Sequence, residues 1–111
     1  MQIRKTYKDV NPELLYAEVR DFILKQGVSL GENKMETYTL PDESALFGTR
    51  ATLAFNTKGG TEKECLRVHI VGRAKGETKL MIDADDKLFT ADKLAILQTD
   101  LGFIFGSYEV K

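Results

Sequence analysis

The sequence predicts an α+β domain: a four- to five-stranded antiparallel sheet with two helices on one of its faces. Three observations predict this class. Apolar and polar side chains alternate through three successive segments between Ala45 and Ala84, as in strands with one buried face. Short glycine-containing segments separate these strands and suit hairpin turns. Apolar residues at helical spacing occur both before and after the alternating block.

The chain begins with a predicted strand at residues 2–10, whose basic side chains favour a position near a sheet edge. A helix is expected after Asn11, because its side chain can accept a hydrogen bond from a free backbone N–H and Pro12 suits the first turn. Gly27 is expected to end this helix in a left-handed conformation. The apolar positions on one helix face are Leu15, Val19, Phe22 and Ile23.

The middle of the chain predicts a meander of four strands. Residues 29–33 are interpreted as a loop, and residues 34–40 as a strand that is either buried on both faces or at an edge, since its alternation is poor. Turns are expected at 41–44, 58–61 and 75–77, where proline, glycine and acidic residues cluster.

Thr90 is expected to cap a last helix, in which Leu94, Leu97 and Leu101 line one face. Two endings are open. The helix continues past Gly102, or it ends there and residues 103–110 form a final C-terminal strand. We favour the continuing helix.

Small residues form a seam along this continuing helix. The seam consists of Ala95, Thr99, Gly102 and Gly106. Such a seam lets a helix approach another backbone closely, and we expect it to pack on the protein's own sheet. A contact between two copies of the chain is the alternative.

The predicted order β-α-β-β-β-β-α resembles the helix-grip arrangement, in which an antiparallel sheet wraps a C-terminal helix. The resemblance is one of topology alone, because no family motif accompanies it. The length of 111 residues fits a single globular domain covering residues 1–111.

Composition limits the classes of function. The chain has 16 basic and 17 acidic residues, so it has no overall field that would attract nucleic acid or an anionic membrane. Its single cysteine, Cys65, rules out an internal disulfide. The sequence has neither the apolar stretch of a signal peptide nor that of a membrane span. We therefore expect a cytoplasmic protein with no membrane partner.

The residues that suggest catalysis or metal binding have more ordinary explanations. Cys65 and His69, predicted on the charged face of one strand, would lie about 13 Å apart, too far to bind one metal or to act as nucleophile and base. Asp83 and Asp85 would lie roughly 7 Å apart, but the run around them lacks the glycine and distal glutamate of a calcium loop. The glycines of 58–61 belong to a hairpin. No catalytic residue, metal ligand or cofactor is predicted, and we favour a protein that is not an enzyme.

Charged side chains on the same face predict a solvated, ion-paired surface. Cross-strand pairing of Asp83 and Asp85 with Arg67, Arg73 or Lys79 is expected. The basic positions on this face are Arg50, Arg67, Arg73 and Lys79, with His69. Nucleic-acid binding is disfavoured because this face has no aromatic side chains on which bases would stack.

The apolar face gives the leading functional hypothesis, a module that holds a small apolar or amphipathic ligand between the sheet and the C-terminal helix. The predicted ligand-binding residues are Phe47, Phe55, Val68, Leu80, Leu101 and Phe105. The same residues would also form an ordinary packed core. The alternative function is a protein-interaction or homodimerisation domain that uses its C-terminal segment and binds no ligand.

Overall fold

The computed structural model describes residues 1–40, 43–60, 62–73 and 76–110, with side chains described outside residues 39–47. The elements follow the predicted order and confirm the α+β class. They are β1 (Gln2–Lys8), α1 (Pro12–Leu24), β2 (Ser29–Leu40), β3 (Glu43–Asn56), β4 (Glu64–Gly72), β5 (Glu77–Ala84), α2 (Ala91–Phe105) and a short 3₁₀ turn (Gly106–Tyr108).

The five strands form one sheet in the order β1-β5-β4-β3-β2, and every neighbouring pair is antiparallel. The meander from β2 to β5 and the edge position of β1 are therefore confirmed. One row of paired residues crosses the sheet from Ile3 through Ile82 and Val68 to Leu53. All four side chains are buried, so this row lies on the dry face of the sheet.

Both helices pack against that dry face. The core is one cluster that contains the buried residues of the strands together with Leu15, Val19 and Ile23 of α1 and Leu94, Leu97, Leu101 and Phe105 of α2. Burial of apolar surface at about 25 cal/mol per Å² is the main force that holds the two layers together. The prediction of two helices on one face is confirmed. None of the described helices is long and apolar enough to cross a membrane.

The helix ends follow the residues that predict them. The Asn11 side-chain oxygen accepts a hydrogen bond of 2.8 Å from the backbone N–H of Glu13. The Thr90 hydroxyl accepts one of 3.4 Å from the N–H of Lys93. Gly27 has a φ of 88°, in the left-handed region that its lack of a Cβ permits.

The last helix runs through Gly102 to Phe105, so the favoured ending is confirmed and the C-terminal strand is wrong. An interior glycine costs a helix about 1 kcal/mol relative to alanine, whereas Leu101 and Phe105 are buried in the core on either side of it. Burial of these two side chains outweighs that cost. After the 3₁₀ turn, Glu109 forms a single antiparallel bridge with Tyr7.

Strand β2 begins at Ser29, so the loop predicted for 29–33 is wrong. A register shift between Leu30 and Asn33 interrupts the alternation, which hides the strand from a period-two pattern. The strand is an edge strand, one of the two predicted alternatives. Part of the turn predicted at 41–44 belongs to β3; residues 41–42 and 74–75 lie outside the described residues.

Candidate interaction surfaces

The predicted ligand-binding residues lie together in the core. Phe55, Val68, Leu80, Leu101 and Phe105 belong to one buried cluster and each has 2% or less of its surface exposed. The side chain of the sixth, Phe47, lies outside the described residues. Such burial is what a packed core requires, so these positions alone do not favour a cavity. A ligand between the sheet and α2 stays a prediction.

The described surface includes three depressions that bear on this prediction. One, of 560 Å³, lies on the sheet face opposite the helices, between β1, β5 and β4, and Leu80 is among its lining residues. A second, of 390 Å³, lies where the start of α1 meets the end of α2, and Phe105 is among its lining residues. A third, of 240 Å³, adjoins Tyr38 and Arg73 on the sheet. Phe55, Val68 and Leu101 line none of the three, so these depressions do not bring the predicted ligand-binding residues together.

Cys65 is buried rather than on the charged face, which corrects its predicted position. A register shift between β3 and β4 at Phe55 and Asn56 displaces the start of β4. The Cys65 Sγ donates to the backbone oxygen of Phe55 at 3.4 Å. Burial raises the pKa of the Cys65 thiol, which disfavours the reactive thiolate.

The acidic residues of β5 and the following turn have structural partners. Asp83 accepts a hydrogen bond of 2.9 Å from the Gln2 side chain, not from a basic residue as predicted. Asp85 accepts from the backbone N–H of Lys87 at 2.9 Å, which closes a turn. Arg67 instead pairs with Glu64 at 2.7 Å. Within the described ranges, no three His, Cys, Asp or Glu side chains are grouped so that they could hold a metal ion.

The face of α2 that points away from the core is almost free of charge. Because Leu94, Leu97 and Leu101 define the buried side, helical spacing places Ile96 and Phe103 opposite them. Ile96 is 48% exposed and Phe103 is 88% exposed. We call this surface the outward face of α2. It consists of Asp92, Ala95, Ile96, Thr99, Gly102, Phe103 and the adjoining Gly106.

The small-residue seam belongs to this outward face, so the expectation that it packs on the protein's own sheet is wrong. Ala95, Thr99 and Gly102 are exposed. A Cβ built on Gly102 or Gly106 would meet no atom within 4 Å. The position of the leucine stripe fixes the direction of the seam, and a helical projection of the sequence alone contains this signal.

The end of α2 adds further exposed apolar surface. Ile104 and Tyr108 line the 390 Å³ depression together with Leu14 of α1, and all three are exposed. At the other end of α1, Lys25 forms an ion pair of 2.7 Å with Asp100 of α2, which links the two helices.

Comparison with known proteins does not add to this description. No family model, curated protein or solved structure matches the chain.

Proposed function

We propose that this protein is a non-catalytic interaction domain that associates with a second copy of itself through the outward face of α2. The observation that supports the proposal is an exposed helix face with two large apolar side chains, four small residues and a single charge, Asp92. A surface helix normally has charged or polar residues on the side away from the core. Large exposed apolar side chains grouped on one face are typical of interaction sites.

The one hydroxyl in the middle of this face is already bonded within the helix. Thr99 Oγ1 donates to the backbone oxygen of Ala95 at 3.0 Å. A partner that covers Thr99 would therefore not leave its hydroxyl donor unsatisfied, which is the main cost of burying a polar group. The face as a whole is suited to loss of water.

Large and small residues lie on opposite sides of the line that runs along the face through Thr99. Ile96 and Phe103, seven residues apart, lie on one side, and Ala95 and Gly102 lie on the other. In an antiparallel pair of α2 helices with a two-fold axis at Thr99, each side of the face meets the same side of the second copy. Ile96 then contacts Phe103 of the second copy, and the small residues let the two backbones approach closely on the other side. The face is therefore complementary to itself.

The size of this face predicts weak association. A helix of 15 residues is about 22 Å long and, with its side chains, about 10 Å wide. Contact along one such helix is smaller than the roughly 800 Å² per partner of a standard interface. We expect a dissociation constant in the micromolar range or weaker.

Sedimentation equilibrium over a wide concentration range tests the proposal. The unaltered protein is expected to pass from monomer to dimer as its concentration rises to about 1 mM, in line with the expected affinity. Phe103→Gln and Gly102→Leu are each expected to weaken the dimer at least tenfold, the first by removing a large apolar side chain and the second by filling the space where the two backbones approach.

Met35→Gln is the matched control, because Met35 is also an exposed apolar residue but lies on β2. It should leave the monomer–dimer equilibrium unchanged. A monomeric mass at every concentration would contradict the proposal, and so would equal weakening by the Met35 and Phe103 substitutions.

A further inference from the structure

The sheet face that the helices leave uncovered contains the largest of the three depressions. It has a volume of 560 Å³ and lies across β1, β5 and β4. Its lining includes no carboxylate among the described residues. The lining residues are Arg4, Lys5, Thr6, His69, Val71, Lys79, Leu80 and Met81.

Strand pairing brings three nitrogen-containing side chains around Met81. Arg4 is paired with Met81 across β1 and β5, and His69 is paired with Met81 across β4 and β5. Directly paired residues have Cβ atoms about 5 Å apart, and diagonal neighbours are roughly 7 to 8 Å apart. Lys79, two residues before Met81 on the same face, is a diagonal neighbour of both Arg4 and His69. One small anionic group can therefore lie within reach of all three side chains.

Three permanent cations line the depression, and one of them, Lys5, forms an ion pair of 3.5 Å with Glu109. The other two, Arg4 and Lys79, are not neutralised within the described part of the chain. Arg4 Nε donates to the Gln2 side-chain oxygen at 2.9 Å, which is a neutral acceptor. Neither Arg4 nor Lys79 belongs to an ion pair among the described residues. The carboxylate of Asp83 lies beyond Gln2 and accepts from the Gln2 amide instead.

The same depression offers apolar contact beside these cations. Val71 is 37% exposed and is paired with Lys79 across β4 and β5. Met81 provides a flexible, polarizable side chain that adapts to the shape of what it contacts. A depression of 560 Å³ lies within the usual range of sites for small molecules.

We propose that this depression binds a small amphipathic organic anion, with its carboxylate, sulfonate or phosphate group between Arg4 and Lys79 and its apolar body against Met81 and Val71. Charge complementarity selects the anion, since the lining is cationic, and the thioether and isopropyl groups select an apolar body. A nucleic acid is the less suitable occupant, because no aromatic side chain lines the depression for base stacking.

The test uses 8-anilinonaphthalene-1-sulfonate, a sulfonate attached to an aromatic body, as the probe. Its binding to the folded protein is followed by fluorescence and mapped by backbone amide chemical shifts. We expect the shifts to centre on β1, β5 and the middle of β4. N-phenyl-1-naphthylamine, which has the same ring systems without the sulfonate, is expected to bind at least tenfold more weakly.

Arg4→Gln combined with Lys79→Gln is expected to lower the affinity for the sulfonate at least tenfold. The matched control is Lys34→Gln, a cation on the edge strand β2 outside this depression, and its effect is expected to stay below twofold. All three side chains lie at the surface, so we expect each variant to keep the fold. An unfolding curve of each variant checks this.

Three results would overturn the proposal. The first is a set of chemical shifts centred on Leu14 and Ile104, which would place the probe in the other depression. The second is equal binding of the charged and uncharged probes. The third is salt-sensitive displacement of the sulfonate by a short single-stranded oligonucleotide at a lower concentration than by any small aromatic anion, which would make nucleic acid the occupant.

Discussion

Phe55 lies near the C-terminal end of β3 on the dry face of the sheet, and none of its surface is exposed. Its side chain is surrounded by the core cluster that also contains the described candidates for ligand binding. The residue therefore distinguishes a packed core from an open cavity, because the energetic cost of truncating it differs between the two.

Replacing Phe55 with alanine is expected to lower the free energy of unfolding by about 3 to 5 kcal/mol, the usual cost of losing a buried phenylalanine and leaving a cavity. Urea denaturation of the two proteins measures this difference. A decrease in the free energy of unfolding of less than about 1.5 kcal/mol would be too small for a well-packed site. It would support the predicted ligand cavity between the sheet and α2.

Tyr7 is the buried residue whose ionisation depends most on the fold. It is 1% exposed and packs against Phe105 with ring centroids 5.8 Å apart. Burial, with a smaller contribution from the negative charge of Glu109, raises the pKa of Tyr7 from 10.0 to about 12. The folded protein therefore retains the phenol proton at pH values where the unfolded chain releases it.

This difference predicts a loss of stability at high pH. The contribution of Tyr7 is fully present below pH 10 and is lost as the pH rises towards the folded-state pKa of about 12. A shift of this size corresponds to about 2 to 3 kcal/mol. Urea denaturation on both sides of the interval measures it.

The matched variants are Tyr7→Phe and Tyr16→Phe. The first is expected to remove this part of the decline, because it has no phenol to ionise, and the second is expected to retain it. Equal declines in both variants would show that other groups cause the loss of stability.

At the scale of elements, Gly102 and Gly72 differ in the space around them. That space decides whether replacing the glycine with alanine stabilises or destabilises the fold. Gly102 lies inside α2, where an added Cβ would meet nothing within 4 Å. Gly72 lies at the end of β4, where an added Cβ would be 2.5 Å from the Cα of Thr78. The sequence leaves open whether Gly102 ends its helix.

Gly102→Ala is expected to raise the free energy of unfolding by about 1 kcal/mol, since alanine is the better helix former and there is room for its methyl group. Gly72→Ala is expected to lower it, because the backbone of β5 must move away. Thermal denaturation of both variants at low protein concentration measures the two effects. Destabilisation by Gly102→Ala would mean that α2 does not continue through this position.

The sequence predicts an element correctly when the residues that determine that element lie close together in the chain. Asn11, Thr90 and Gly27 act on neighbouring backbone groups, so the helix ends follow from the sequence. The start of strand β2 does not follow from the sequence, because the register shift at Leu30 and Asn33 is set by its pairing with β3. The face on which Cys65 lies does not follow from it either, since a register shift reverses the alternation of side chains.

At the scale of the whole molecule, the two edges of the sheet are protected from pairing with another strand in different ways. The outer edge of β1 is covered by the segment after α2, where the N–H of Val110 donates to the backbone oxygen of Thr6 at 2.8 Å. The outer edge of β2 has charged side chains at Glu32, Lys34 and Glu36, which discourage pairing with another strand. Association through a sheet edge is therefore less favoured than association through a face.

Val110→Pro removes the N–H that bonds to Thr6, and is expected to lower the free energy of unfolding by about 1 kcal/mol. Glu109 already has the extended conformation that a following proline requires, with φ −71° and ψ 131°. The control, Val110→Ala, keeps the N–H. Urea denaturation compares the two, and equal stability of the proline and alanine variants would mean that this bond adds nothing to the fold.

The sequence by itself determined the α+β class, the order of the elements, the helix caps and most of the apolar face of β3, β4 and β5, because each depends on neighbouring residues or on a short period. Tertiary structure decided that α2 continues through Gly102, that Cys65 is buried and that Arg4, His69 and Lys79 surround Met81. These features depend on how strands are registered and on which side chains the packing of the helices on the sheet buries. Distant parts of the chain set both, so no local pattern specifies them.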